Sequence, residues 1–416
     1  MERRSRYGVI AASVLIGLSS LSPIAAEAAV TKITYSNWQF AEPGRGDALR
    51  AIVDQFNATH STIKVEPVSI PYASYATTVL TQMGAKSGPD VVTLDYDVMV
   101  KAQAAGLVAD ITGKVITPTS GFAAYDSKFI VDGKRYGIPW QSTGYALICN
   151  KALLAAAGAK FPTTFEEFVA TVKATTKGTD QYGFAMRNTT PQEGGWWYDL
   201  SNWTYGFGGA WTDSKGNPTI NSAENLKGVT EYAKFYDAKY IPQGADATTY
   251  RRMTWEGKVA CNIDNGSVPT IFSDSNPAIK ANLQIGKTPF PVAKNAQILI
   301  GTSVNAASTK QAASVKFLNW MLQATMQKKI QAAMGAEAIA TKILPPAALL
   351  KDKPWLKTYA KLADNGVLVL PAGAELKTAE IRKAVIAQVD KVLRSNLRPK
   401  DALDAAQAEV KTILGK

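Results

Sequence analysis

The run 131–150, VDGKRYGIPWQSTGYALICN, constrains the fold more than any other stretch of the chain. Asp132-Gly133 suits a tight hairpin turn in which glycine supplies a positive φ, and Arg135, Tyr136, Ile138 and Trp140 then resume an extended segment. After the polar interval Gln141-Ser142-Thr143 a second extended run places Tyr145, Leu147 and Cys149 on one face and Ala146 and Ile148 on the other. Both faces are apolar, so this run must be covered on both sides. Two strands separated by a short polar interval predict a crossing between two lobes, and such a joint is a natural place for a cleft.

The remainder of the chain is long enough for two lobes: 416 residues, 46% hydrophobic. Thr31 to Ser36 predicts a strand ending at Asn37-Trp38. The loop Glu42-Pro43-Gly44-Arg45-Gly46 leads into a helix whose apolar face is Leu49, Ile52, Val53 and Phe56. Ile63, Val65 and Val68 mark a second strand, 72–84 a helix, and Val91 to Leu94 a third strand after the turn Gly88-Pro89-Asp90. This alternation predicts an α/β lobe with a largely parallel sheet, whose binding edge lies at the carboxyl ends of the strands. Further on, Thr164 and Glu167 form a capping box, Asn221 with Glu224 opens a helix, and Lys258 to Ile263 leads into the polar turn Asp264-Asn265-Gly266. The segment Pro289 to Ala293 predicts a second connection between lobes, followed by a strand around Ile298 to Ile300. Ser308 caps a helix bearing Val315, Leu318 and Leu322, and the C-terminal part is helical.

The first 28 residues stand apart. A basic start (Arg3, Arg4, Arg6), an apolar run from Gly8 to Leu21 and the small-x-small triplet Ala26-Glu27-Ala28 predict a signal peptide cleaved near Ala28, hence export to the periplasm. The net charge of +12 is carried by scattered basic residues without aromatic interleaving, which argues against nucleic acid as a partner. Cys149 and Cys261 are compatible with a disulfide in an exported compartment and equally with two buried thiols.

The inventory of reactive groups excludes several chemistries. One histidine, His60, at a predicted helix end, leaves no histidine-rich zinc site and suits a surface or capping role. There is no GxSxG elbow, phosphate-binding P-loop or dinucleotide fingerprint, and no cofactor is expected. Asp95 and Asp97 at a strand end can accept hydrogen bonds from sugar hydroxyls, can serve the turn itself, or could form the carboxylate pair of a secreted glycoside-active enzyme. Trp38, Trp140 and the unusual segment 191–211, with Trp196, Trp197, Trp203 and Trp211 among glycines that interrupt regular periodicity, are either stacking platforms for sugar rings or core. Glu42, Tyr96, Gln141, Asp264, Asn265 and Gly266 are polar or backbone partners at predicted strand ends, loops and the crossing. Arg45, at a helix N-terminus behind Gly44, offers the alternative of a polyol phosphate or another small solute.

Seven stretches, taken together and in order, resemble the extracellular solute-binding proteins of carbohydrate ABC importers, the large sugar-binding group that includes maltose-binding protein. They are ITYSNW, GPDVV, AGLVADIT, DGKRYGIP with GYALICNKALLAAAG, PTTFEEF, GKVACNIDNG and NAASTKQAASVKFLNWML. The resemblance implies a two-lobe fold: lobe 1 over 29–141 and 294–334, lobe 2 over 142–293, and a helical segment 335–416 mainly on lobe 2. It places crossings near 141–143, 288–296 and 334–340. It further implies a monomer that closes around a mono- or oligosaccharide and delivers it to an inner-membrane permease, without catalysis. Leu94, Thr143 and Val268 stand where the maltodextrin-binding relatives carry a tryptophan, a glutamate and a tryptophan, which points away from maltodextrin as the solute.

Overall fold

The computed structural model describes residues 29–42, 45–335, 340–363 and 366–416, with Glu2 and Gly8 as isolated earlier positions. The predicted leader therefore lies almost wholly outside the described residues, as do Pro43-Gly44 and most of the predicted crossing at 334–340. In chain order the strands are β1 (Thr31–Ser36), β2 (Ile63–Val68), β3 (Val91–Asp95), β4 (Ile130–Val131), β5 (Lys134–Arg135), β6 (Ile138–Asn150), β7 (Tyr182–Ala185), β8 (Val259–Asn265), β9 (Leu283–Gly286), β10 (Asn295–Val304) and β11 (Gly366–Leu368). The main sheet runs β2-β1-β3-β10-β6-β8-β7, with β11 on β10 and β9 on β6. β1 pairs in parallel with β2 and β3, as the strand-helix alternation requires, whereas β10 is antiparallel to β3 and β6.

Apolar side chains divide between two main cores. The first gathers Ile33, Leu49, Phe56, Val91, Phe317 and Ile330 around β1 to β3. The second surrounds the helix Glu193–Gly206 and takes in Phe168, Tyr232, Ile381, Val385 and Leu403. β6 passes from one to the other: Ile138 and Trp140 belong to the first, Tyr145, Leu147 and Cys149 to the second. β10 does the same in the opposite direction, from Ala296 to Leu299 and Val304. The fold is thus two α/β lobes joined by two continuous strands.

Residues 141–143 do not interrupt β6, contrary to the expectation of two separate strands. Their side chains are buried yet paired, so no gap is needed to solvate them. Gln297 Nε2 donates to Ser142 Oγ (2.9 Å), Gln39 Nε2 to Gln141 Oε1 (3.2 Å) and the Gly266 amide to Thr143 Oγ1 (2.9 Å). At Gly144 a side chain is excluded, because a Cβ would stand 2.4 Å from Asn295 Oδ1. That oxygen instead accepts the Tyr145 amide at 2.9 Å. Behind this joint the helix Leu356–Ala363 is tied to the same strands, since Asn295 Nδ2 donates to the Leu362 carbonyl and Tyr359 Oη to that of Asp264.

Local expectations fare differently. Asp132 and Gly133 form the β4–β5 turn with φ of 49° and 74°, and the Thr164–Glu167 capping box is complete. Ser222, not Asn221, caps its helix, and Ser308 lies ahead of the helix Gln311–Met321, donating to Asp90 Oδ1. His60 ends the helix Arg45–Thr59, its ring stacked 4.0 Å from that of Phe56. Most of 191–211 is the regular helix Glu193–Gly206, enclosed nearly all round. Two of its glycines serve close packing: a Cβ would fall 2.1 Å from Arg187 at Gly195 and 2.4 Å from Phe290 at Gly206.

Cys149 and Cys261 are opposite one another on β6 and β8 and form a disulfide. Their sequence separation is 112 residues, and closing a loop of that size restricts the unfolded chain by about 4.7 kcal/mol in the chain-entropy picture. The double variant Cys149→Ala/Cys261→Ala should lose about 2–5 kcal/mol of unfolding free energy in denaturant titrations. A loss below about 1 kcal/mol would show that the crosslink adds little to the surrounding core.

Candidate functional site

The carboxyl ends of β1 to β3 face the second lobe across a cleft of about 720 Å3, inside the roughly 300–1,000 Å3 of small-molecule sites. The first lobe contributes Tyr72 and Tyr75 from the helix after β2, Asp95 from the end of β3 and Asp97 from the start of the helix Tyr96–Ala104 that follows it. The second lobe contributes Tyr145, Arg187, Trp197, Tyr198, Arg251, Asn265 and Arg382. Aromatic faces and polar groups therefore meet from both sides, which suits a flat solute carrying both C–H faces and hydroxyls.

The two walls differ electrostatically. On the first lobe Tyr72 Oη donates to Asp95 Oδ2 at 2.9 Å. Burial against the cleft wall, reinforced by the charge of Asp97, pushes the Asp95 carboxyl up to about 7, although the Tyr72 hydrogen bond pulls it down. The Asp95 charge in turn holds the Tyr72 phenol well above its ordinary range. On the second lobe the guanidiniums are already matched. Arg251 makes a two-point contact with Asp264 (2.9 and 2.9 Å), Arg187 lies 3.3 Å from Asp199 and 3.8 Å from Asp264, and Arg382 Nε donates to Glu193 at 2.9 Å. Tyr250 Oη also donates to Asp264, whose carboxyl is held low by Arg251 and Arg187 despite complete burial. Burial pushes Asp199 the other way, opposed chiefly by Arg187. Among the described residues no group of three or more His, Cys, Asp or Glu is placed to hold a metal ion.

Of the residues singled out from sequence, Asp95, Asp97, Trp197 and Asn265 line the cleft. The others are corrected by packing. Trp38 sits behind Tyr72 and Tyr75, with ring centroids at 5.4 and 5.2 Å, so those tyrosines present the surface that Trp38 was expected to offer. Trp140 and Gln141 are buried in the joint, Trp140 Nε1 donating to Gln39 Oε1 at 3.0 Å. Trp196, Trp203 and Trp211 are core: Trp203 packs on Phe235 and Phe290, and Trp211 stacks on the far side of Trp197 at 4.3 Å. Asp264 lies under the cleft floor at 0% exposure. Gly266 serves the joint, Tyr96 Oη donates to the Lys128 carbonyl, and Glu42 faces Arg45 at 3.6 Å. Sequence reasoning missed Tyr72, Tyr75, Tyr198, Arg187, Arg251 and Arg382. Tyr72 was recoverable, since it opens the helix directly after a strand of the parallel sheet, at the edge where such sheets bind. The arginines carried no local signal, because their partners lie on other elements.

Comparison with known proteins agrees with this architecture. The diacetylchitobiose-binding protein DasA of Streptomyces coelicolor is 26% identical over 325 residues, covering 69% of this chain and 75% of that protein. The galactooligosaccharide-binding protein of Bacillus subtilis is 26% identical over 310 residues, covering 71% and 69%. Among solved structures, the GacH receptor of Streptomyces glaucescens, studied unliganded and with acarbose, superposes with a TM-score of 0.82 at 19% identity, covering 93% of this chain and 99% of that one. A maltose-bound protein of T. maritima gives 0.79 at 20% identity, covering 92% and 100%. Residues 41–328 match the family described as bacterial extracellular solute-binding protein. With that match spanning most of the chain and a cleft between two hinged lobes, the chain belongs to the bacterial extracellular solute-binding proteins.

Proposed function

We propose that this protein is the exported receptor of an ABC importer that captures a mono- or oligosaccharide by lobe closure and passes it to a membrane permease. The observation that carries the reading is the composition of the cleft: tyrosines from both lobes, two carboxylates from one and an asparagine from the other converge on a space of about 720 Å3. Sugar rings stack their C–H faces on such aromatics while carboxylates and amides accept or donate to hydroxyls. The names of its relatives, which bind diacetylchitobiose and galactooligosaccharide, support a carbohydrate. The disulfide supports an oxidising compartment, in keeping with an exported family. A phosphate ester is disfavoured because each cleft arginine already has a carboxylate partner. Closure follows from binding that is stronger in the closed arrangement, where both walls touch the solute, so the solute shifts the population without any bond being made or broken.

Calorimetry against a saccharide panel should find a binder without turnover, and Tyr198→Ala should weaken it about 10–100-fold with little change in thermal unfolding, because an aromatic contact at the centre of a site contributes roughly 1.4–2.8 kcal/mol. Binding of peptides or phosphate esters with no saccharide bound would overturn the carbohydrate reading.

Affinity should also depend on pH. Hydroxyl donors favour ionised Asp95, whose carboxyl is pushed up to about 7 in the free protein and faces Asp97, Tyr72 and Tyr198. Affinity should therefore be level well above pH 7 and decline below it, by at most about tenfold per pH unit until the pKa of the complex is reached. In Asp95→Asn that segment of the profile should vanish; an unchanged profile would remove Asp95 from the contact.

A further inference from the structure

The charges of the cleft do not cancel, and the imbalance narrows the solute. Arg187 and Arg251 are held by Asp199 and Asp264, and Arg382 by Glu193. Asp95 and Asp97, both lining the cleft, have no cation within ion-pair distance among the described residues. Their interaction is instead mutual: the charge of Asp97 acts on Asp95 in the same direction as burial does. The start of the helix Tyr96–Ala104 offsets part of this, but a helix N-terminus supplies only about half an elementary charge. The protein as a whole is strongly basic at +12, so this acidic wall runs against its composition.

Lobe closure over such a wall has an energetic consequence. Enclosing two carboxylates around a neutral solute strips their water while hydroxyls return only part of the lost hydrogen bonding, whereas an ammonium group restores both charge and donors. The surrounding surface also suits a cation. Tyr72, Tyr75 and Tyr198 line the same space, and the negative faces of phenol rings attract ammonium groups. Tyr198, on the opposite wall, lies near enough for Asp97 and Asp95 to add to the effect of burial in raising its hydroxyl.

We propose that the solute is a cationic amino sugar, a mono- or short oligosaccharide with at least one free amine, and that the protonated amine is seated against Asp95 and Asp97. The proposal rests on the carbohydrate reading above and specifies its ligand. It assigns Asp97 the role of discriminating an amine from a hydroxyl or an acetamide, a role that needs no contact with the rest of the sugar.

The test is calorimetric titration of the full exported chain, at neutral pH and low ionic strength, with matched pairs: glucosamine against glucose, and the β-1,4-linked glucosamine dimer against its N,N′-diacetylated form. At least one amine-bearing member should bind about tenfold or more tighter than its neutral partner, the gain expected of a charge-assisted contact. That preference should shrink at high salt. Asp97→Asn should cost the amine-bearing member about tenfold or more in affinity beyond whatever it costs the neutral partner, so that most of the preference is lost, with unfolding in denaturant as a check on folding. Equal or tighter binding of the neutral members, or equal loss for both members in Asp97→Asn, would overturn the amine assignment and leave the carbohydrate reading standing. Binding of no saccharide in either these pairs or the wider panel would overturn both.

Discussion

Everything in this molecule depends on two strands that do not stop at the border between lobes. β6 and β10 run side by side from one hydrophobic core into the other, antiparallel and paired through Gln297–Gly144 to Thr302–Ile138. A continuous hydrogen-bonded ribbon can twist and bend without losing its ladder, so it supplies a joint with a defined axis and not a loose tether. The polar side chains at 141–143 make this possible, because each has a partner inside the joint. Carbonyls and amides that would otherwise face an apolar interior are satisfied in place, and the ribbon can be buried along its length.

Around that joint the cleft is built asymmetrically. The second lobe places its ionic groups in depth: Arg187, Asp199, Arg251, Asp264 and Tyr250 form a closed cluster whose members face one another. Such a cluster is expensive to desolvate and rigid once formed, so it acts as a fixed floor with little capacity left for an incoming charge. The first lobe offers the opposite, short acidic side chains at a strand end with capacity to spare. The two walls are thereby unlike, one presenting a neutralised surface and the other two carboxylates with no cation within ion-pair distance among the described residues.

The fold was legible in the sequence to the extent that spacing reports burial. Strands at 31–36, 63–68 and 91–94 with helices between them could lead only to a parallel sheet, and the run at 145–150 had to be covered on both faces. The site was less legible, for a physical reason. An aromatic residue has the same composition whether it faces a cleft or a core, and the mixture of glycine with tryptophan at 191–211 is equally what a loop platform and a tightly enclosed helix would carry. The glycines resolve it only in three dimensions, where Gly195 lets Arg187 lie against the helix and Gly206 lets Phe290 do so. The strand-end rule located Asp95 and Asp97 correctly on the cleft edge, whereas Trp38 obeyed the same rule but was displaced from the surface by Tyr72 and Tyr75.

The disulfide has both ends in the second core, on β6 beyond the joint and on neighbouring β8. It crosses no moving boundary, so rotation of the lobes neither stretches nor relaxes it. The crosslink and the cleft are in this way separable features of the chain: one braces the interior of a single lobe, and the other lies between the two lobes and is untouched by it.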